Sequence, residues 1–438
     1  MVTDAAVGGA RTETVIPYGA RLVVTVLLLG LYVVGHLVPL PFINPDAHWW
    51  SKMSPLDLGL TPLLVGFTLV ELFSLVTSPG RRLRKSGAAG RARLNRAALA
   101  ASLLLAAFQA TGIVIQLEKI SGIYAGVPLV TAPGLTFRLL TIATLTAATA
   151  AVFIIGQLLS TYGIGNGFAL LMLAQMGWMM AANWIIRRAQ GSYSFQVPQG
   201  GLVVTAGMVI LVFLYIRRAD TEWLPAFPQS ALLVYWTLYP LVLLPFWLQR
   251  LNVSAETSAI LHFVAALILI PLLSWLGFHL FSSRARLAAN LPETGKVLGD
   301  IASSLRRQTF FATAVLTVGT AAELVWRHYW PSPLILPFVY ILSMAAIAQD
   351  LWDQFQFQRQ KGATALLVQL DNVHFSYRLE ERLQEEGIDA LARGHVFRSL
   401  YFFLGPLFKI DVLVARKQLP RAREVLAELE AAAEVRVF

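Results

Sequence analysis

Apolar residues along this chain come in long blocks, neither alternating nor striped. Runs near 21–41, 57–77, 97–117, 139–160, 167–186, 201–216, 230–249, 258–282, 309–330 and 333–352 carry few charges. Crossing a bilayer core takes about 20 apolar helical residues, so the pattern predicts about ten membrane-spanning helices. The sixth run is short, and Pro331, Pro333 and Pro337 punctuate the last. After "DQFQFQRQKG" the pattern changes. "ATALLVQLD" reads as a strand, "VHFSYRLEERLQEEG" holds a charged amphipathic helix ended by Gly387, and "IDVLVA" is a second strand. "QLPRAREVLAELEAAA" supplies another helix and "EVRVF" a last short strand. The predicted fold is an all-α polytopic membrane protein followed by a small C-terminal α+β unit of ferredoxin-like type. Its expected parts are a polar N-terminal tail over 1–19, a transmembrane domain over 20–360 and a cytoplasmic domain over 361–438. The apolar stretch "VFRSLYFFLGPLFK" is expected to cover the small domain's sheet, with contact to the membrane surface as the alternative.

Composition agrees with the blocks. Of 438 residues, 56% are hydrophobic and only 14% charged, and the mean hydropathy is +0.62, too apolar for an ordinary solvated surface. The formal net charge of +10 belongs to the apolar part, because basic and acidic residues nearly cancel from Ala363 onward. One cluster, Arg81, Arg82, Arg84, Lys85, Arg91, Arg93 and Arg96, and a second, Arg284, Arg286, Lys296, Arg306 and Arg307, fall in loops on the same side. Only scattered basic residues fall on the other side. The positive-inside bias therefore puts both termini in the cytoplasm and explains the charge by membrane lipids, without nucleic acid. The apolar run after the polar N-terminus is long and lacks a clear small-residue cleavage site, so the first span is expected to stay in the membrane.

Little in the chain points to chemistry. There is no cysteine, which excludes disulfides, thiolate metal sites and cysteine nucleophiles. His36, His48, His262, His279, His328, His374 and His395 make no HxxxH or HExxH spacing, so no metal site is expected. His48 stands beside Trp49 and Trp50, where an interfacial aromatic belt is the plain explanation. Glu71, Glu323 and Asp350 fall inside predicted spans, where charge is costly and marks candidate ion pathways. Each also has a structural account: Glu323 can pair with Arg327 one turn on, while Glu71 and Asp350 lie toward cytoplasmic ends within reach of water or headgroups. No phosphate loop, Ser/His/Asp set or paired-carboxylate motif is present, so neither an enzyme nor a cofactor is expected.

"QLLSTYGIGNGFALLMLAQM" resembles the fourth-to-fifth helix junction of the SecY family, the channel subunit of the Sec protein translocon. Its glycine knot is Gly163, Gly165, Asn166 and Gly167. Further matches come in order. "RLVVTVLLLGLYVVGHLVPLPFIN" is similar to the family's first helix, "LGLTPLL" to the start of its second, and "KSGAAGRARLNRAALAASLLLAAFQATGI" to its second-to-third loop and third helix. "VFLYIRRA" and "LPAFPQS" resemble the flanks of the sixth-to-seventh loop, and "AAIAQDLWDQFQ" the end of the tenth helix. The resemblance covers roughly residues 20–357. It implies two pseudo-symmetric five-helix halves around an hourglass pore, a lateral gate, and partners like the small subunits SecE and SecG, with polypeptides as substrates. By position it puts Leu60, Leu64, Phe168, Met172 and Trp236 (or Thr237) in an apolar pore ring, which can seal by dewetting. Helical core packing accounts for each of them equally well.

The departures from that family bear on function. "FINPDAHWWSKMSPLD" is too short for the family's plug, and only "TE" stands where the family has its long hairpin for docking the ribosome and the motor SecA. The eighth-to-ninth loop lacks the arginine-proline-glycine motif. The resemblance therefore does not extend to ribosome or SecA docking. The tail, mainly through "DVLVARKQLPRAREVLAEL", resembles small bacterial domains with signal-transducing roles, a generic interaction domain being the alternative. Three functions stay open: a specialised polypeptide channel or insertase, a membrane scaffold or regulator derived from one, and a small-molecule transporter.

Overall fold

The computed structural model describes residues 18–44, 53–85, 87–120, 128–189, 254–281, 338–370, 373–401 and 407–432. To these it adds residues 207, 210, 212, 310, 313–315, 317–325 and 404. The chain falls into two compact units, residues 1–186 and 187–437.

The described part of the first unit is mostly helical. α1 is Tyr18–Gly35, α2 Thr61–Val76, α3 Ser78–Lys85, α4 Gly87–Ile120, α5 Leu135–Tyr162 and α6 Gly167–Ala189. α2 starts on a proline in its first turn, the position where a missing N–H costs nothing. Thr77 then breaks the helix with an extended backbone and starts α3, its hydroxyl accepting the Gly80 N–H at 3.2 Å. α4 begins well before its apolar run, so the basic stretch expected as a loop is helix. On the far side of this unit the first loop pairs with the segment ahead of α5: Asn44 donates to the Leu129 carbonyl and Thr131 to that of Phe42, both at 2.9 Å. Leu40, Ile43, Leu117, Val130 and Phe137 are buried together there.

α4 packs along α2 through small residues. Ala98, Ser102, Ala106 and Ala110 recur every fourth position and are all buried. A Cβ on Gly66 of α2 would meet the Ser102 backbone at 2.6–2.7 Å, so the helices approach as closely as small side chains permit.

Three described helices are long and apolar enough to cross a membrane: Tyr18–Gly35, Ala89–Lys119 and Leu135–Tyr162. Thr61–Ser74, Gly167–Met179, Glu256–Leu272 and Thr313–Val325 are apolar but shorter. The runs at 201–216 and 230–249 lie almost wholly outside the described residues.

The second unit holds α7, Ala255–Phe281, which contains Pro271, and α8, Phe338–Lys361. Gly362 ends α8 with φ +75°, donating to the Gln358 carbonyl at 2.9 Å, and the chain enters the small domain directly. The order is β1 Thr364–Leu370, α9 Val373–Glu385, β2 Ala390–Arg393, α10 His395–Leu400, β3 Ile410–Ala415 and α11 Leu419–Ala432, with a 3-10 turn at Arg416–Gln418. The sheet order is β1-β3-β2 and both pairings are antiparallel. Ile410, Val412 and Val414 of the central strand join Leu379, Leu383, Ala422 and Val425 of α9 and α11 in the core, each full burial of such a side chain contributing about 1.5–3 kcal/mol.

Two of the three strands and both helices expected from the pattern are present, the third strand, residues 434–438, lies outside the described residues, and β2 and α10 had no counterpart in the pattern. Nor does the "VFRSLYFFLGPLFK" stretch cover the sheet. Its described residues lie against α8 and α9, with Phe397, Tyr401 and Phe408 packed tilted and edge to face at ring distances of 4.8–5.5 Å. There α8 offers Ser343, whose hydroxyl meets that of Tyr401 at 2.5 Å.

Candidate functional site

The glycine knot joins α5 to α6. Gly163 ends α5, its N–H reaching the Leu159 carbonyl at 2.8 Å, and Gly165 takes φ +66°, where a side chain would be strained. Asn166 then caps α6, its Oδ1 accepting the N–H groups of Phe168 at 3.0 Å and Ala169 at 3.1 Å, which satisfies two otherwise orphan donors. Ser160 accepts the Gly167 N–H and donates to the Gly156 carbonyl, both at 2.9 Å. A Cβ on Gly167 would run into the Gly156 carbonyl oxygen and the Leu159 side chain. The reversal therefore seats two helices backbone to backbone.

The knot is also tied to α1. Thr25 accepts the Ile164 N–H at 2.9 Å while donating to the Arg21 carbonyl at 2.8 Å, and the Arg21 guanidinium reaches the Gly163 carbonyl at 3.5 Å. The start of α1, the end of α5 and the start of α6 thus share one end of this unit. His36, at the other end of α1, meets Tyr32 edge to face at 4.7 Å and lies 5.1 Å from the Trp178 ring of α6.

Leu60 and Leu64 flank Pro62 at the start of α2, and both are buried. The Leu60 N–H, an orphan of the helix start, is accepted by Gln175 of α6 at 3.0 Å, which fixes that start beside the third turn of α6. Phe168 and Met172 are buried as well. Phe168 faces α5: its ring lies 5.7 Å from Phe153, which stacks on Phe67 of α2 at 6.2 Å. Leu60, Leu64, Phe168 and Met172 come from two elements that the structure joins, and Phe168 is engaged in helix packing. Trp236 lies outside the described residues. Thr25, Ser160 and Gln175 were missed by the sequence reading. Their one signal was polarity within apolar runs, since each satisfies a backbone group that lipid cannot.

Of the three acids in predicted spans, Glu71 does not reach out to water. It is 5% exposed and pairs with Arg91 of α4 at 3.1 Å, with Ser74 donating to it at 3.4 Å. Asp350 is likewise buried and accepts the Val396 and Phe397 N–H groups at 3.2 and 2.9 Å. Glu323 is half-buried, and Arg327 lies outside the described residues. Among the described residues no group of histidine and acidic side chains could hold a metal ion.

In the small domain a polar row crosses the sheet opposite its core. Gln369, Asp411 and Arg393 stand in register on the three strands. Gln369 donates to Asp411 at 2.9 Å, and Asp411 forms a buried ion pair with Arg393.

Residues 54–223 match the SecY family model. A protein translocase subunit SecY of Rickettsia bellii is 28% identical over 181 residues, 41% of either chain. One of Rickettsia conorii is 25% identical over 233 residues, 48% of this chain and 53% of its own. One of Buchnera aphidicola from Acyrthosiphon pisum is 31% identical over 121 residues, 28% of this chain and 27% of its own. The chain thus spans about half or less of the length of these curated relatives. Among solved structures, one described as a protein conducting channel aligns with 78% of this chain and 93% of its own, at 12% identity and a TM-score of 0.49.

Proposed function

We propose that the chain is a member of the SecY family, whose model matches residues 54–223, and a channel subunit for translocation or membrane insertion of polypeptides, specialised in what it carries. The observation that supports this most is the knot. A capped, glycine-seated reversal ties α5, α6 and α1 at one end, giving a pathway between the helices a rigid rim. On this reading Leu60, Leu64, Phe168, Met172 and Trp236 supply the apolar constriction. About ten helices in two pseudo-symmetric halves cross a bacterial inner membrane, with both termini and the tail domain in the cytoplasm. Its partners are lipids, small subunits like SecE and SecG, and polypeptide substrates. The β1-β3-β2 order supports a ferredoxin-like tail domain, with residues 434–438 available for a fourth strand.

A second reading, a scaffold that binds membrane partners without conducting chains, draws on the short plug region and the missing docking hairpin. Crosslinking in cells from Leu64 and Trp236 separates the two. Capture of exported or nascent chains at both positions supports the channel, and capture of a folded membrane partner alone overturns it. The transporter reading loses its footing at Glu71, whose carboxylate is committed to Arg91. Solute uptake abolished by Glu71→Gln would restore it.

A further inference from the structure

α8 turns one narrow stripe outward. Met344, Ala348, Trp352, Phe355 and Arg359 are exposed at helical spacing, and Gln356, Gln360 and Lys361 widen the stripe at its basic end. The stripe is apolar first, aromatic next and basic last, the order in which a span leaves a bilayer. Trp352 and Phe355, 55% and 41% exposed, then mark the interface. The rest of the helix from Ile341 to Asp350 is buried, and it is polar at Ser343, Gln349 and Asp350. Ser343 lies nine residues before Trp352, about 13 Å along the helix, close to the half-thickness of a hydrocarbon core of about 30 Å. Yet Ser343 meets Tyr401 of the tail domain, and Asp350 is satisfied by tail backbone N–H groups.

We propose that the tail domain carries a wedge, built on Phe397, Tyr401 and Phe408, that sits at membrane depth beside the last helix and takes the place of lipid on its polar face. This rests on reading α8 as a span. The wedge is suited to that depth. Its three rings pack against one another and are buried, Arg398 is turned back to the Tyr401 carbonyl at 2.9 Å, and the Tyr401 hydroxyl is paired with that of Ser343. Polar groups left open to hydrocarbon would each cost several kcal/mol, so the helix and the tail need one another. The tail is then a structural part of the membrane domain, and a signal that shifts the tail domain moves the last helix.

The chain is cysteine-free, so introduced cysteines are its only thiols. In native membranes, S343C/Y401C treated with a short bis-maleimide is expected to join the two pieces of a chain cut at a protease site placed after Gly362. S343C/E424C, which pairs Ser343 with the exposed Glu424 of α11, is expected not to join them. A spin label on M344C is expected to collide at least threefold more with oxygen than with an aqueous nickel chelate, and one on R359C the reverse. In lipid nanodiscs, Asp350→Ala is expected to raise hydrogen exchange at Val396 and Phe397 at least tenfold while β3 stays protected. Joining no better than S343C/E424C overturns the wedge. So does an M344C label that prefers the chelate, or exchange at 396–397 as fast in the unaltered chain as in the variant. Polypeptide capture at Leu64 reads the channel separately, so its failure beside an intact wedge counts against the channel alone.

Discussion

Where α2 meets α4, the buried positions include Gly66, Ala98, Ser102, Ala106 and Ala110, while Leu104 and Phe108 of the same α4 face outward at 73% and 76% exposure. In the tail domain the arrangement is reversed. Leu379, Leu383, Val412 and Val425 are buried, and Arg382, Glu385, Arg421 and Glu424 pair with one another outside. The difference is the solvent each surface is built for. Lipid tails are as apolar as leucine, so burying leucine between membrane helices gains little, and close backbone approach with satisfied hydroxyls holds them instead. Water rewards apolar burial, so the tail spends its leucines and valines inside.

The contrast breaks most sharply at the ion pair that the tail buries on its sheet. Arg393→Ala leaves Asp411 buried without its cation and is expected to cost about 3–5 kcal/mol, read as lost amide protection across β1 and β3 in the full chain. Arg393→Met combined with Asp411→Leu should recover most of it, because a matched apolar pair leaves no charge stranded. Next comes the knot. Gly167→Leu drives a side chain into the Gly156 carbonyl and Leu159 and is expected to cost about 2–3 kcal/mol, seen as a lower melting temperature in detergent. Gly112→Leu, where a Cβ would meet nothing within 4 Å, should leave melting unchanged. Smaller still is Asn166→Ala, which removes the α6 cap and is expected to cost about 1 kcal/mol by the same melt. Smallest is Arg382→Ala, whose exposed pairs with Glu385 and Glu386 should be silent in melting at physiological salt, since solvent screens them.

The same contrast explains what could be read from the sequence. Apolar blocks marked α1, α4 and α5 because each is long and faces lipid, but they did not mark helix ends: α4 runs on through Arg91, Arg93 and Arg96, since a helix continues into water where its apolar run stops. In the tail, β1, α9, β3 and α11 follow from period and turn signals. β2 did not, because "ALAR" has four residues and no alternation to read. The knot was legible from its glycines and Asn166. Its tie to Thr25 was not, since a hydroxyl 139 residues away leaves no local trace. Asp350 was picked out as a costly charge, and its partner came from an amide in another element, which no spacing encodes.

The most direct test of the account is polypeptide passage through the purified chain in liposomes. A signal-bearing chain added outside should become protected from protease in vesicles holding this protein together with any small subunits that copurify with it, and protection should fall at least tenfold with Gly167→Leu. Protection no greater than in empty vesicles, with the protein folded and α5 and α6 intact, would contradict it.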